Sequence, residues 1–126
     1  MIAEELQNQL GIAISDLNEG LNEHRNAATE KGIAEFEYRQ AQAIAYLDVM
    51  RDAEHAPKKP TEPHIKALVD RRCLEEMRRL RTAEAILETS QQRLISRRAE
   101  MSALQSMMGA HKAEAEMFNY ANQHIT

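Results

Sequence analysis

Two groups of cations are the residues of this chain best suited to chemistry. Lys58 and Lys59 stand side by side between prolines, in the stretch His55–His64 that holds all three prolines of the sequence. Arg71, Arg72, Arg78, Arg79 and Arg81 follow, with Arg93, Arg97 and Arg98 further on. Adjacent lysines in an exposed loop can meet phosphate oxygens without reading a base. On a helix, Arg71, Arg78 and Arg81 share roughly one face and Arg72 and Arg79 lie beside it, so the arginines could extend a phosphate-binding surface. A plainer reading competes. Glu75, Glu76 and Glu84 are three or four residues from these arginines, the spacing of intrahelical ion pairs. The first part of the chain also supplies acids for pairing between helices.

Other chemistry finds no support. The four glycines are isolated and no Gly-Lys-Ser or Gly-Lys-Thr occurs, so no phosphate loop is expected. A single cysteine, Cys73, rules out cysteine-rich zinc sites and an intramolecular disulfide. The five histidines, His24, His55, His64, His111 and His124, fall in neither His-Glu-x-x-His nor Glu-x-x-His. Asp52 and His55 have metal-compatible spacing, but an acid and a histidine near a helix end more simply form a solvated pair. Ser15, Ser90, Ser96, Ser102 and Ser106 have no evident base. The expectation is a protein that is not an enzyme and needs no cofactor or metal.

The elements that carry these residues follow from periodicity. In residues 2–54, Leu6, Leu10, Ala13, Leu17 and Leu21 recur at three or four, which is one helical face. The stripe thins at His24, Ala27 and Ala28 and resumes at Ile33, Ala34, Ala41, Ile44, Ala45 and Val49. Asn18-Glu19-Gly20 is the place for a kink, which would free a short N-terminal helix to cross to a neighbouring subunit. The prolines end this helix, because proline lacks an N–H and clashes with the preceding turn. A loop spans 55–63. Thr61 as N-cap, Glu62 and Pro63 then open a helix over about 64–119. Cys73, Leu80, Leu87, Leu94, Met101 and Met108 recur every seven residues along it, with Ile65, Val69, Met77, Ala83 and Leu104 beside them. Gln91, Arg98 and Gln105 read as polar companions to this seam. Phe36, Tyr38, Tyr46, Phe118 and Tyr120 read as packing residues rather than a platform for stacked bases.

The fold class expected is therefore all-α: one domain, a long antiparallel helical hairpin of coiled-coil type. Two helices bury one stripe each, so a thin core asks for self-assembly. Leu6, Leu10, Leu17, Met101 and Met108 are the residues expected at an oligomer interface; methionines suit adaptable apolar contacts. Charge is unevenly spread. Residues 1–57 hold four Lys/Arg against eleven acids, residues 58–98 eleven against six, and the whole chain is −4. The asymmetry fits two helices of opposite charge packed together, or a basic surface for nucleic acid. A secretory leader and a membrane span are not expected, and the lone cysteine fits a reducing cytoplasm.

Four stretches resemble a known family. They are MIAEELQNQL (1–10), EYRQAQAIAYLD (37–48), KKPTEPHIKALV (58–69) and LISRRAEMSAL (94–104). Each is similar to a segment of UvsY-like recombination mediators of tailed phages. The resemblance spans most of the chain. It implies a small helical homo-oligomer, assembled as a ring, that binds single-stranded DNA. It also implies a role in loading a RecA-like recombinase onto strands coated by single-strand-binding protein, in the cytoplasm of a bacterial host. One element departs from the pattern. Where the family carries basic residues before its Leu-Asp, this chain reads Ala43, Ile44, Ala45 and Tyr46. No DNA-binding residue carries over from that element, so Lys58, Lys59 and the Arg71–Arg81 cluster must serve. The alternatives are a scaffold, chaperone or adaptor without nucleic-acid binding, and an inhibitor presenting its acidic helix to a basic partner.

Overall fold

The computed structural model describes residues 2–124. Met1, Ile125 and Thr126 and the side chains of Ile2 and His124 lie outside that description, and with them the first residue of the 1–10 resemblance and one of the five histidines. Among the described residues every regular element is a helix: α1 (Ile2–Glu54), α2 (Glu62–Arg72) and α3 (Leu74–His124). The long α1 packs against the long α3.

The seam repeats every seven residues on each long helix. Along α1 the buried and half-buried positions run Ala3, Leu6, Leu10, Ala13, Leu17, Gly20 and His24, in alternating steps of three and four. Along α3 they run Ser90, Leu94, Arg97, Met101, Leu104, Met108 and His111. These two sets belong to one compact unit, formed by Met1–His24 and Ser90–Thr126. A strict seven-residue repeat is what keeps one stripe facing its partner in a two-stranded coiled coil.

The other compact unit is Arg25–Thr89. Here α1 offers Ala27, Ala34, Ala41 and Ala45, and α3 offers Leu80, Ala83 and Leu87. At the loop end α2 packs against α1. Ala45, Val49, Val69 and Cys73 form a buried cluster, against which Tyr38, Ala41, Ile65 and Leu68 pack.

Three expectations are corrected. First, no separate N-terminal helix forms: α1 continues through Asn18, Glu19 and Gly20. Gly20 is itself a buried seam position, and packing there outweighs a helix-propensity loss of about 1 kcal/mol.

Second, the helix expected over 64–119 is two helices, divided at Cys73 and reaching His124. The Cys73 N–H is shared between the carbonyls of Val69 and Asp70, each at 3.2 Å. That sharing tightens the last turn of α2. Cys73 has φ −108° and ψ 14°, and its own carbonyl accepts from Met77 N at 2.9 Å, so α3 restarts at once. Neither proline nor glycine marks this joint. Thr61 holds the N-cap position of α2 with extended backbone but makes no side-chain cap bond.

Third, the polar companions that follow Leu87 and Leu94 are Ser90 and Arg97, not Gln91 and Arg98, and Leu104 stands where Gln105 was expected. Gln91, Arg98 and Gln105 are exposed. The companions lie three residues after each seventh residue, not four.

Candidate functional site

The loop ends α1 with two tightened turns, His55 N to Asp52 O and Ala56 N to Ala53 O, both 3.3 Å. At the far side Ile65 N donates to Thr61 O at 3.0 Å to begin α2. Between them lies an open cleft of about 550 Å³. Its floor is apolar: Val49, Ala53, Ala56 and Leu68. Lys58, Lys59, His64 and Arg72 also line it, with Asp52 as the acid among them. The first turn of α2 faces the same loop, and a helix start carries partial positive charge from its unpaired N–H groups. The arrangement suits an anion with room for an apolar neighbour. No phenylalanine, tyrosine or tryptophan lines the cleft.

The expected basic residues do not all line this cleft, although all five arginines are exposed. Arg72 alone of the five arginines joins the two lysines at the cleft. Its Nη2 donates to Asp52 Oδ2 at 3.1 Å, and its Nη1 lies 4.0 Å from Asp48 Oδ2. Arg79 bridges between helices, 3.9 Å from Glu37 and 3.7 Å from Glu75. Arg78 lies 3.7 Å from Glu75 and Arg81 3.4 Å from Glu84. Arg71 is exposed. These pairs are solvent-facing and each is worth about 0.2–1 kcal/mol, so they guide pairing more than they hold it. Glu75 and Glu84 thus take the intrahelical role their spacing suggests, whereas Glu76 is half-buried with its Oε2 lacking a hydrogen-bond partner.

The residues expected at an oligomer interface occupy the seam within the chain. Leu6 is buried, and Leu10, Leu17, Met101 and Met108 are half-buried in the single chain. Leu6 and Met108 line one cleft of about 360 Å³ with Ala3, Gln7, Gly109, His111 and Lys112.

Sequence reasoning missed the polar groups inside the seam. His24 Nδ1 and Ser90 Oγ are 3.2 Å apart. Arg97 Nη1 donates to the carbonyl of Asp16 at 3.0 Å and lies 3.8 Å from Glu23, which Arg93 also approaches at 3.9 Å. The signal was present: His24 continues the series Leu10, Leu17 by sevens, and Arg97 follows Ser90 by seven.

Cys73 is a free, buried thiol. Burial first, then the charges of Glu76 and Asp70, push its pKa up, which suppresses the thiolate a nucleophile needs. Among the described residues no three His, Cys, Asp or Glu side chains converge as metal ligands. None of the described helices is long and apolar enough to cross a membrane. No protein-family model matches the chain, and no curated protein or solved structure matches it either.

Proposed function

We propose that this chain is a non-enzymatic helical-hairpin protein that grips the phosphates of single-stranded DNA at its proline-loop cleft. In this reading it acts as a recombination mediator, assembling as a homo-oligomer and helping to load a RecA-like recombinase onto strands coated by single-strand-binding protein. The observation that carries the DNA contact is the meeting of Lys58, Lys59 and Arg72 beside the start of α2. The mediator role and the single-strand preference rest on the resemblance to UvsY-like proteins. Contact through phosphates without a stacking platform favours little sequence preference.

The test is anisotropy of a labelled single-stranded oligonucleotide titrated with the full chain over a range of salt. Three phosphates neutralised per chain give a log–log salt slope of about −2. Lys58→Glu with Lys59→Glu should weaken binding at least tenfold while helicity is kept. Affinity no better than for an equally charged control polymer, or indifferent to that double substitution, sinks the proposal.

A second reading is favoured by the arginines. Arg72 and Arg79 each face an acid of α1, and Arg78 and Arg81 an acid of their own helix, as expected of a scaffold, chaperone or adaptor whose charges are paired within the chain. That reading expects no uptake of DNA at physiological salt.

A further inference from the structure

The outer side of α1 in the unit Arg25–Thr89 carries a second stripe at coiled-coil spacing. Ile33, Phe36, Gln40, Ala43, Leu47 and Met50 follow one another by three, four, three, four and three. The stripe is turned away from the seam residues Ala34, Tyr38, Ala41 and Ala45, and it is open from Ile33 to Leu47, with Met50 half-buried: Phe36 is 66% exposed and Leu47 63%. Ile44 and Tyr46, both at least half exposed, widen it. Monomeric proteins rarely leave so concentrated an apolar face uncovered, and alternation of three and four calls for a helix as cover.

We infer that this face binds the same face of a second copy, antiparallel, as a two-fold dimer. The flanking residues decide the occupant. In an antiparallel pair, Ile33 faces Met50, Phe36 faces Leu47 and Gln40 faces Ala43, each contact made twice by symmetry. That register sets Glu30 of one chain against Arg51 of the other on one flank. On the other flank it sets Arg39 against Tyr46, a cation over a ring. Glu37 meets Ile44, so no like charges oppose one another. Glu30, Arg51, Arg39 and Glu37 are all exposed, and Arg39 also holds Glu35 within its own helix at 2.6 Å. A parallel pair in register would instead set Arg25 against Glu30 and Tyr46 against Arg51, so Glu30 would not meet Arg51 and a charge exchange between those two would restore nothing. The stripe spans eighteen residues, about 27 Å of helix, enough for a stable two-stranded contact. The dimer does not depend on DNA binding, and it uses none of Leu6, Leu10, Leu17, Met101 or Met108.

The experiment is sedimentation equilibrium of the full chain at about 1–100 μM, with circular dichroism as a check on folding. The wild type should dimerise. Phe36→Glu with Leu47→Glu should leave a helical monomer, a loss of at least a hundredfold in association. Glu30→Arg alone and Arg51→Glu alone should each weaken the dimer several-fold, and the two together should restore it. A monomeric wild type overturns the inference, as does an oligomer that survives the Phe36 and Leu47 changes. An oligomer lost with those changes but indifferent to the charge exchange also overturns it, because another helix would then be the occupant.

Discussion

The guanidinium of Arg97 lies across Gly20: a Cβ placed on that glycine would stand 2.7 Å from Arg97 Nη1 and 3.2 Å from its Cδ. Leu94 Cδ1 closes the same space at 3.4 Å. The absent side chain is what lets Arg97 cross the helix and reach the Asp16 carbonyl. Gly11, Gly32 and Gly109 have nothing within 4 Å of the same construction.

Substitution should separate these glycines. Gly32→Ala should stabilise the fold by about 0.5–1 kcal/mol, the ordinary gain from replacing a helical glycine. Gly20→Ala should fall within about 1 kcal/mol of wild type, because the same gain is offset by displacing the flexible end of Arg97. Gly20→Leu should lose about 1–3 kcal/mol by overpacking. Urea unfolding followed at 222 nm gives all three, and an equal gain at Gly20 and Gly32 would refute the close approach.

His24 and Ser90 form a polar layer in an otherwise apolar run, with Ser90 buried at 6% exposure. Removing the Ser90 hydroxyl takes this bond from the His24 ring nitrogen, whereas replacing both by apolar groups leaves no such mismatch. Ser90→Ala should therefore cost about 0.5–1.5 kcal/mol. His24→Leu with Ser90→Leu should be at least as stable as wild type but lose definition of register, as seams do when a polar specifier is removed. Broadened amide spectra in the double variant, set beside sharp ones in the wild type, would show it.

How far the sequence reveals this molecule depends on which physical signal a residue carries. The hairpin was legible because three prolines leave no doubt about where α1 must stop. The α3 seam was legible from its leucines and methionines at sevens. The α1 seam was harder to read, since Ala13, Gly20, Ala27 and Ala34 are small and could equally be surface residues. Large residues such as Leu21, Ile33 and Ile44 drew the stripe toward positions that are exposed. The joint at Cys73 had no marker, because a shared hydrogen bond leaves no trace in residue type. At the loop, Lys58 and Lys59 could be placed from their prolines. That Arg72 would join them, and Arg78, Arg79 and Arg81 would not, depends on where the Asp48, Asp52 and Glu37 carboxylates meet the second half of the chain.

The Cys73 thiol offers a pH-dependent prediction. Its pKa is raised in the fold by burial and by Glu76 and Asp70, so the folded state holds the proton more tightly than the unfolded chain. The stability this contributes is complete below the unfolded thiol's pKa, about 8.5. It is lost as pH rises from there through the folded value. Unfolding free energy should accordingly decline above about pH 8.5 in the wild type, more than in Cys73→Ala. At pH 8 an aromatic disulfide reagent should modify Cys73 at least about 100-fold more slowly in the folded protein than in urea. That factor corresponds to an opening of about 2.7 kcal/mol. Modification at the unfolded rate would show that the Val49–Val69 cluster does not close over the thiol.

Glu76 occupies a seam position, seven residues after Val69 and seven before Ala83, where an apolar side chain would pack. Its Oε2 is buried with no hydrogen-bond partner, and a buried polar atom left unmatched costs about 1–3 kcal/mol. Glu76→Leu should therefore raise stability by about 1 kcal/mol, removing the unmatched oxygen and adding apolar contact. Glu76→Gln keeps the shape and discards the charge, and it should recover only part of that gain. Either change also withdraws a negative charge beside Cys73, so the thiol's pKa should fall towards its ordinary value while still raised by burial. Stability and thiol reactivity measured on the same two variants give the check. If Glu76→Leu proves destabilising by more than about 1 kcal/mol, the carboxylate has a partner that satisfies it, and the seam at this layer is polar by requirement.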